Sequence, residues 1–164
     1  MVKKKHKLFK DIVFRFAKES HCLSKQVCAM AVRDNRIVAT GINGTPSGQE
    51  NCDDHFKKYY TEHDIDIPYK EWLKTDEWKN LHHEWSDRNE VHGEQSLLAW
   101  SAAHNVNLEG CDIYVTLEPC MTCMKLLAAL KPANIYFFTE YERNDIRAIE
   151  FFKKCGINCE FLNI

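Results

Sequence analysis

Apolar side chains recur along this chain at two periods, and the switches between them divide it into elements. Over residues 8–20, Leu8, Phe9, Ile12, Val13 and Phe16 fall on one broad stripe of helical period. Residues 27–32 and 37–40 are short apolar runs flanking Arg33-Asp34-Asn35-Arg36, which predicts a β-hairpin. Residues 41–48 hold three glycines and Pro46 and read as a loop. Residues 50–90 are polar, rich in His, Trp and Tyr, and only weakly periodic, with one or two helices expected around 69–86. A better helix covers 91–105, where Leu97, Leu98, Trp100 and Ala103 can face a core. Beyond Gly110 the order is strand 112–117, helix 120–130, strand 134–139, helix 145–155, strand 157–162. Alternation of that kind builds a sheet flanked by helices, so with the opening hairpin the expectation is an α/β fold: three layers, α-β-α, around a mixed five-stranded sheet.

A length of 164 residues fits a single domain with one full core, here carrying an inserted segment at about 54–81. The formal net charge of -2 gives no broad attraction for a polyanion, which disfavours nucleic acid as a partner. The one basic run, Lys3-Lys4-Lys5-His6-Lys7, reads as a solvated tail. No stretch approaches the ~18 apolar residues that span a bilayer, and no signal-peptide pattern opens the chain. The expectation is therefore a cytoplasmic protein whose eight cysteines are reduced, where closely spaced cysteines read as metal ligands before disulfides. Cys111, Cys155 and Cys159 are expected to fill space beside the sheet. His6, His21, His55, His63 and His104 read as surface or locally bonded residues, and Trp72, Trp78 and Trp85 as packing for the insertion or a subunit interface.

The candidate chemistry sits in two short segments. His92-Gly93-Glu94 is followed, 25 residues after Glu94, by Pro119-Cys120-Met121-Thr122-Cys123. One imidazole and two thiolates can hold Zn²⁺ and leave the fourth tetrahedral position open to water, as a catalytic zinc requires. Pro119 suits a helix start, and a helix N-terminus lowers the pKa of the thiols that begin it. Glu94 stands close enough to shuttle protons without ligating. Taken alone, C-x-x-C also fits a structural zinc half-site or a redox pair; with H-x-E upstream, the pattern is that of zinc-dependent nucleobase deaminases. In such an enzyme an activated hydroxide attacks C4 of cytosine while Glu94 moves protons to N3 and to the departing ammonia.

The residues around these segments resemble the deoxycytidylate deaminases, especially the phage and viral type, of the zinc-dependent cytidine deaminase superfamily. The likeness rests on residues 22–40, Gly41-Ile42-Asn43-Gly44-Thr45-Pro46, Asn51-Cys52-Asp53, Glu84-Trp85-Ser86 through Glu94, and Tyr114-Val115-Thr116-Leu117-Glu118-Pro119-Cys120. It implies conversion of dCMP to dUMP and ammonia for thymidylate synthesis, a cytidine deaminase-like fold, a cytoplasmic hexamer (in the host cytoplasm if viral), activation by dCTP, and inhibition by dTTP with Mg²⁺. Carried over, it makes His92, Cys120 and Cys123 the catalytic zinc ligands and Glu94 the proton shuttle. Cys22, Cys52, His82 and Glu90 become ligands of a second, structural zinc, with His83 as a substitute for His82. Asn43, Gly44 and Thr45 would meet the substrate or an effector nucleotide, and Tyr141 the substrate phosphate. Relatives often carry Arg at the positions of Ser24 or Glu142 to bind that phosphate; here the neighbouring Lys25 and Arg143 would compensate. Gly93, Gln95-Ser96-Leu97, Cys28, Trp100 and Ala103 also depart from the family pattern, which bears on phosphate recognition and regulation and leaves dCTP as an alternative substrate. A zinc-stabilised, non-catalytic binding protein is the reading from another class.

Overall fold

The computed structural model describes residues 4–164. The chain runs α1 (Lys4–Ala17), β1 (Cys28–Arg33), β2 (Arg36–Ile42), α2 (Cys52–Glu62), α3 (Tyr69–Trp72), α4 (Asp76–Asn89), α5 (Gly93–Ala103), β3 (Asp112–Val115), α6 (Met121–Ala129), β4 (Asn134–Phe137), α7 (Ala148–Lys154) and β5 (Asn158–Phe161). The strands form one sheet in the order β2-β1-β3-β4-β5. β1 is antiparallel to β2 and β3, while β3, β4 and β5 run parallel, joined through α6 and α7. The mixed five-stranded expectation holds.

Side chains alternate across the pleat, so each strand feeds two cores. Ala29, Ala31, Ile113, Val115, Ile135 and Phe137 meet Leu97 of α5, Met124 and Leu127 of α6, and Phe152 of α7. On the opposite face Met30, Val32, Tyr114 and Tyr136 meet Phe9, Val13 and Ala17 of α1. Both faces are thereby covered. Among the described residues, no helix is long and apolar enough to cross a membrane.

Several expectations need correction. The basic run is not a tail: from Lys4 onward it is the first turn of α1, Lys5 pairs with Asp112 at 3.5 Å, and Lys3 lies outside the described residues. His6 is buried rather than a surface residue, its Nδ1 lying 3.0 Å from the Tyr114 hydroxyl and its ring 4.7 Å from that of Tyr136. The buried stripe of α1 is therefore His6, Phe9, Val13 and Ala17, which leaves Leu8 at 56% and Phe16 at 38% exposure. Similarly, α5 buries Glu94, Leu97 and Ser101, so Trp100 and Ala103 face outward, Trp100 stacking on His104 at 4.2 Å. Cys155, at the end of α7, is exposed, whereas Cys111 and Cys159 are buried as expected.

The weakly periodic segment holds two helices where one or two were expected, α3 and α4, and a third, α2, ahead of them. Its own small core gathers Phe56, Trp72 and Trp78 with Cys22 and Cys52. Aromatic mass replaces the missing apolar period: Phe56 contacts Trp72, Trp78, His82 and Trp85 with centroids 5.6–6.3 Å apart.

Candidate active site

Two helix starts meet at one point. His92 is the N-cap of α5, and its extended backbone is fixed by an N–H donated to Gln95 Oε1 at 2.9 Å. Just before it, Val91 and Gly44 exchange two backbone hydrogen bonds of 2.8 and 3.1 Å. Cys120 is the N-cap of α6, directly after Pro119, and Cys123 lies in the first turn. His92 Nδ1 stands 3.5 Å from Cys120 Sγ and 3.5 Å from Cys123 Sγ. A tetrahedral zinc with bonds of about 2.3 Å to sulfur and 2.05 Å to nitrogen would set those atoms about 3.6 Å apart. The cradle fits that ion, and among the described residues no fourth donor joins this cluster.

The electrostatics suit a cation. The Cys120 thiol is brought down to about 4 by the hydrogen bond from Cys123, with His92 adding to the effect. Cys123 is pushed up, since it donates to that sulfur and is buried. His92 is raised chiefly by its hydrogen bond to Cys120. Glu94, only 4% exposed, has its carboxyl pushed up to about 7 by burial.

A cavity of about 560 Å³ opens above these groups. Ser24, Lys25 and Asn43 line one wall, His83 and Lys79 of α4 another, and Tyr141 and Arg143 a third. Gly44 and Thr45 are not among its lining residues. Asn43 has both ends of its amide engaged: Oδ1 accepts from Val27 N–H and Nδ2 donates to the Lys25 carbonyl, each at 2.8 Å. Arg143 Nη1 lies 3.3 Å from His83 Nδ1, so the two sides touch across the mouth.

A second cluster stands beside the first. Cys22, Cys52 and His82, all buried, bring their donor atoms within 4.8 Å of one another, with Cys22 Sγ 3.5 Å from His82 Nε2. Glu90 Oε2 accepts from Ser86 at 2.6 Å, while its buried Oε1 meets no hydrogen-bond partner among the described residues. Burial, with Cys22 adding to it, raises the Glu90 carboxyl. The hydrogen bond from Cys52 brings the Cys22 thiol down to about 4. Glu90 stands close enough to Cys22 to be raised by it but is not one of the three clustered donors. His83 does not substitute for His82 in this cluster; it points to Arg143 and to Asp87, 3.6 Å away.

Sequence reasoning passed over Glu118 and Arg147. Glu118 is a carboxylate whose side chain is 0% exposed, paired with Arg147 Nη2 at 2.7 Å. Its four-residue neighbourhood in sequence carries no sign of that partner, 29 positions away.

A sequence profile described as the cytidine and deoxycytidylate deaminase zinc-binding region matches residues 3–139. The deoxycytidylate deaminase of enterobacteria phage T2 is 29% identical over 162 residues, covering 90% of this chain and 86% of its own length. A probable deoxycytidylate deaminase of Caenorhabditis elegans is 31% identical over 150 residues, covering 88% of this chain and 62% of its own. The crystal structure of the dCMP deaminase from the cyanophage S-TIM5, in complex with dCMP and dUMP, superimposes with a TM-score of 0.70. At 24% identity it covers 99% of this chain and 100% of that one, and it shares the fold.

Proposed function

We propose that this chain, which belongs to the cytidine and deoxycytidylate deaminase family, hydrolyses dCMP to dUMP and ammonia with a zinc held by His92, Cys120 and Cys123. The observation that carries the reading is the tetrahedral spacing of those donors beside a buried Glu94 at one cavity. When bound, Zn²⁺ supplies a Lewis acid that brings the pKa of a ligand water to about 7. Proton traffic falls to Glu94, whose carboxyl, pushed up to about 7, can both take and give a proton at neutral pH. It accepts a proton from water and delivers it to N3 of the pyrimidine, then takes the remaining proton from the new C4 hydroxyl and gives it to the departing amino nitrogen. The C4–O bond forms as the C4=N3 double bond opens, and the C4–N bond to the amino group then breaks, so water enters and ammonia leaves.

Tyr141, Lys25 and Arg143 on the cavity walls would receive the 5′-phosphate, and Ser24 and Asn43 the region nearer the sugar. Gly44 and Thr45 would act behind the wall, through the bridge to Val91 and the Thr45 hydrogen bond to Asn51. A structural zinc on Cys22, Cys52, His82 and Glu90 would tie the loop before β1 to α2 and α4. The same reading includes a cytoplasmic homo-hexamer responsive to dCTP and to dTTP with Mg²⁺, which sedimentation with and without nucleotide tests. Lys25, Lys79 and Arg143 at one cavity are more cationic donors than one phosphate needs, which favours dCTP as a second substrate. The deciding assay measures ammonia release by zinc-loaded protein from deoxycytidine, dCMP, dCTP and CMP. Turnover of dCMP is expected; no turnover of any free nucleotide would remove the proposal.

A further inference from the structure

We propose that Glu118 is a positioning residue that suspends segment 139–147, with Tyr141 and Arg143, from the turn delivering Cys120. The inference rests on the dCMP reading, in which Tyr141 and Arg143 face the nucleotide phosphate. Every acceptor of this buried carboxylate is in use. Oε1 accepts from the Ala148 N–H at 2.8 Å, and Oε2 from the Tyr141 N–H at 3.0 Å and from Arg147 Nη2 at 2.7 Å. Nearby, the Glu118 N–H donates to the Thr139 carbonyl at 2.7 Å and Asn144 Nδ2 donates to the Pro119 carbonyl at 3.0 Å. Arg147 extends the clamp by donating to Glu140 Oε1 at 2.9 Å and to the Tyr141 carbonyl at 3.4 Å.

Packing cannot hold this segment instead. From Glu140 to Arg147 no residue is buried, and Ile146 is 39% exposed. Its position over the cavity is therefore set by hydrogen bonds, and most of those that leave the segment end on residues 118 and 119. A neutral amide at 118 keeps the shape but replaces an acceptor by a donor, which must face an N–H or the guanidinium. At least one of the three attachments is then lost, and the loop swings away from Pro119-Cys120 while the helix start that holds Cys120 stays.

The experiment uses zinc-loaded wild type, Glu118→Gln, Arg147→Met and Arg147→Lys. It measures zinc content, amide hydrogen exchange at Tyr141 and Ala148, and steady-state kinetics on dCMP and on deoxycytidine, which lacks the phosphate. Loss of one charge-assisted hydrogen bond predicts a rise of about 10-fold or more in KM for dCMP in Glu118→Gln. Zinc content and kcat should stay near wild type, kcat/KM for deoxycytidine should be unchanged, and exchange at both amides should quicken. Arg147→Met should show a smaller version of this pattern, and Arg147→Lys should partly restore it. A parallel fall in kcat/KM for both substrates, loss of zinc, or unchanged amide exchange in Glu118→Gln and Arg147→Met would overturn the proposal. If Glu118→Gln does not fold, Arg147→Met, altered at a side chain 35% exposed, carries the test. Wild type inactive on dCMP refutes the substrate reading instead, and the exchange measurement then still decides the role of Glu118.

Discussion

A single methyl group at Gly41 should dislodge the histidine end of the metal centre. Gly41 lies in β2, against the first two turns of α5, and a Cβ there would sit 2.1 Å from the Leu97 amide nitrogen. It would also come 2.3 Å from the Gly93 carbonyl oxygen and 2.6 Å from the Leu97 Cα. All three are backbone atoms of α5, so no side-chain rotation relieves the clash. Ordinary contact begins near 3.4 Å, and 3.4 minus 2.1 requires the helix to retreat by about 1.3 Å. Overpacking of this kind costs about 1–3 kcal/mol, and rigid backbone contact places Gly41→Ala at the upper end. The retreat carries His92 and Glu94 with it, whereas Cys120 and Cys123 belong to α6 and stay. His92 Nδ1, now 3.5 Å from each sulfur, would no longer span a tetrahedral edge. A displacement near 1 Å can by itself cost about 100-fold in rate. Urea unfolding, zinc content and kcat on dCMP measure the three consequences. Gly41→Ala with the wild-type unfolding midpoint, full zinc and a rate within about twofold would refute the argument from backbone contact.

Glu94→Gln should retain its zinc and lose about 10²–10⁴-fold in kcat, since it removes only the proton carrier; an active variant would take Glu94 out of that role. Cys52→Ser should drop the zinc content from two per chain to one, with dCMP turnover retained; metal analysis unchanged from wild type would eliminate the second centre. At high pH, burial raises the Tyr136 hydroxyl and the Cys159 thiol each to about 12, above their unfolded values of 10 and 9. Raised acids hold their protons in the folded state, so this stability is whole below pH 9 and is lost as pH climbs towards about 12. Tyr136 accounts for roughly 2 kcal/mol of it, and Tyr136→Phe should flatten the decline in urea midpoint between pH 9 and 12; an identical decline in the variant would exclude Tyr136 as its source.

What could be read without coordinates follows from how locally each feature is encoded. His92, Glu94, Cys120 and Cys123 were legible because each pair lies within one turn of chain at a helix start, and local spacing fixes which atoms can share an ion. The sheet was legible because its strands alternate and its crossovers are short. Gly41 read as a loop glycine, yet it lies in β2 against helix α5, and composition cannot tell a turn from a close backbone approach. The polar run at the N-terminus hid the inward face of α1, since a buried histidine becomes acceptable only where Tyr114, 108 positions along, meets it. The segment from α2 to α4 has only a weak apolar period because a few large aromatics supply its core. Glu118 is the extreme case. An acidic residue before Pro-Cys looks solvated until Arg147 and the Tyr141 and Ala148 amides are brought to it, and only the fold does that. The atoms that would bind metal are thus written in short motifs, while the groups that hold the substrate walls in place depend on tertiary pairings. Substitutions at the second kind should therefore alter which nucleotide is accepted before they alter the chemistry.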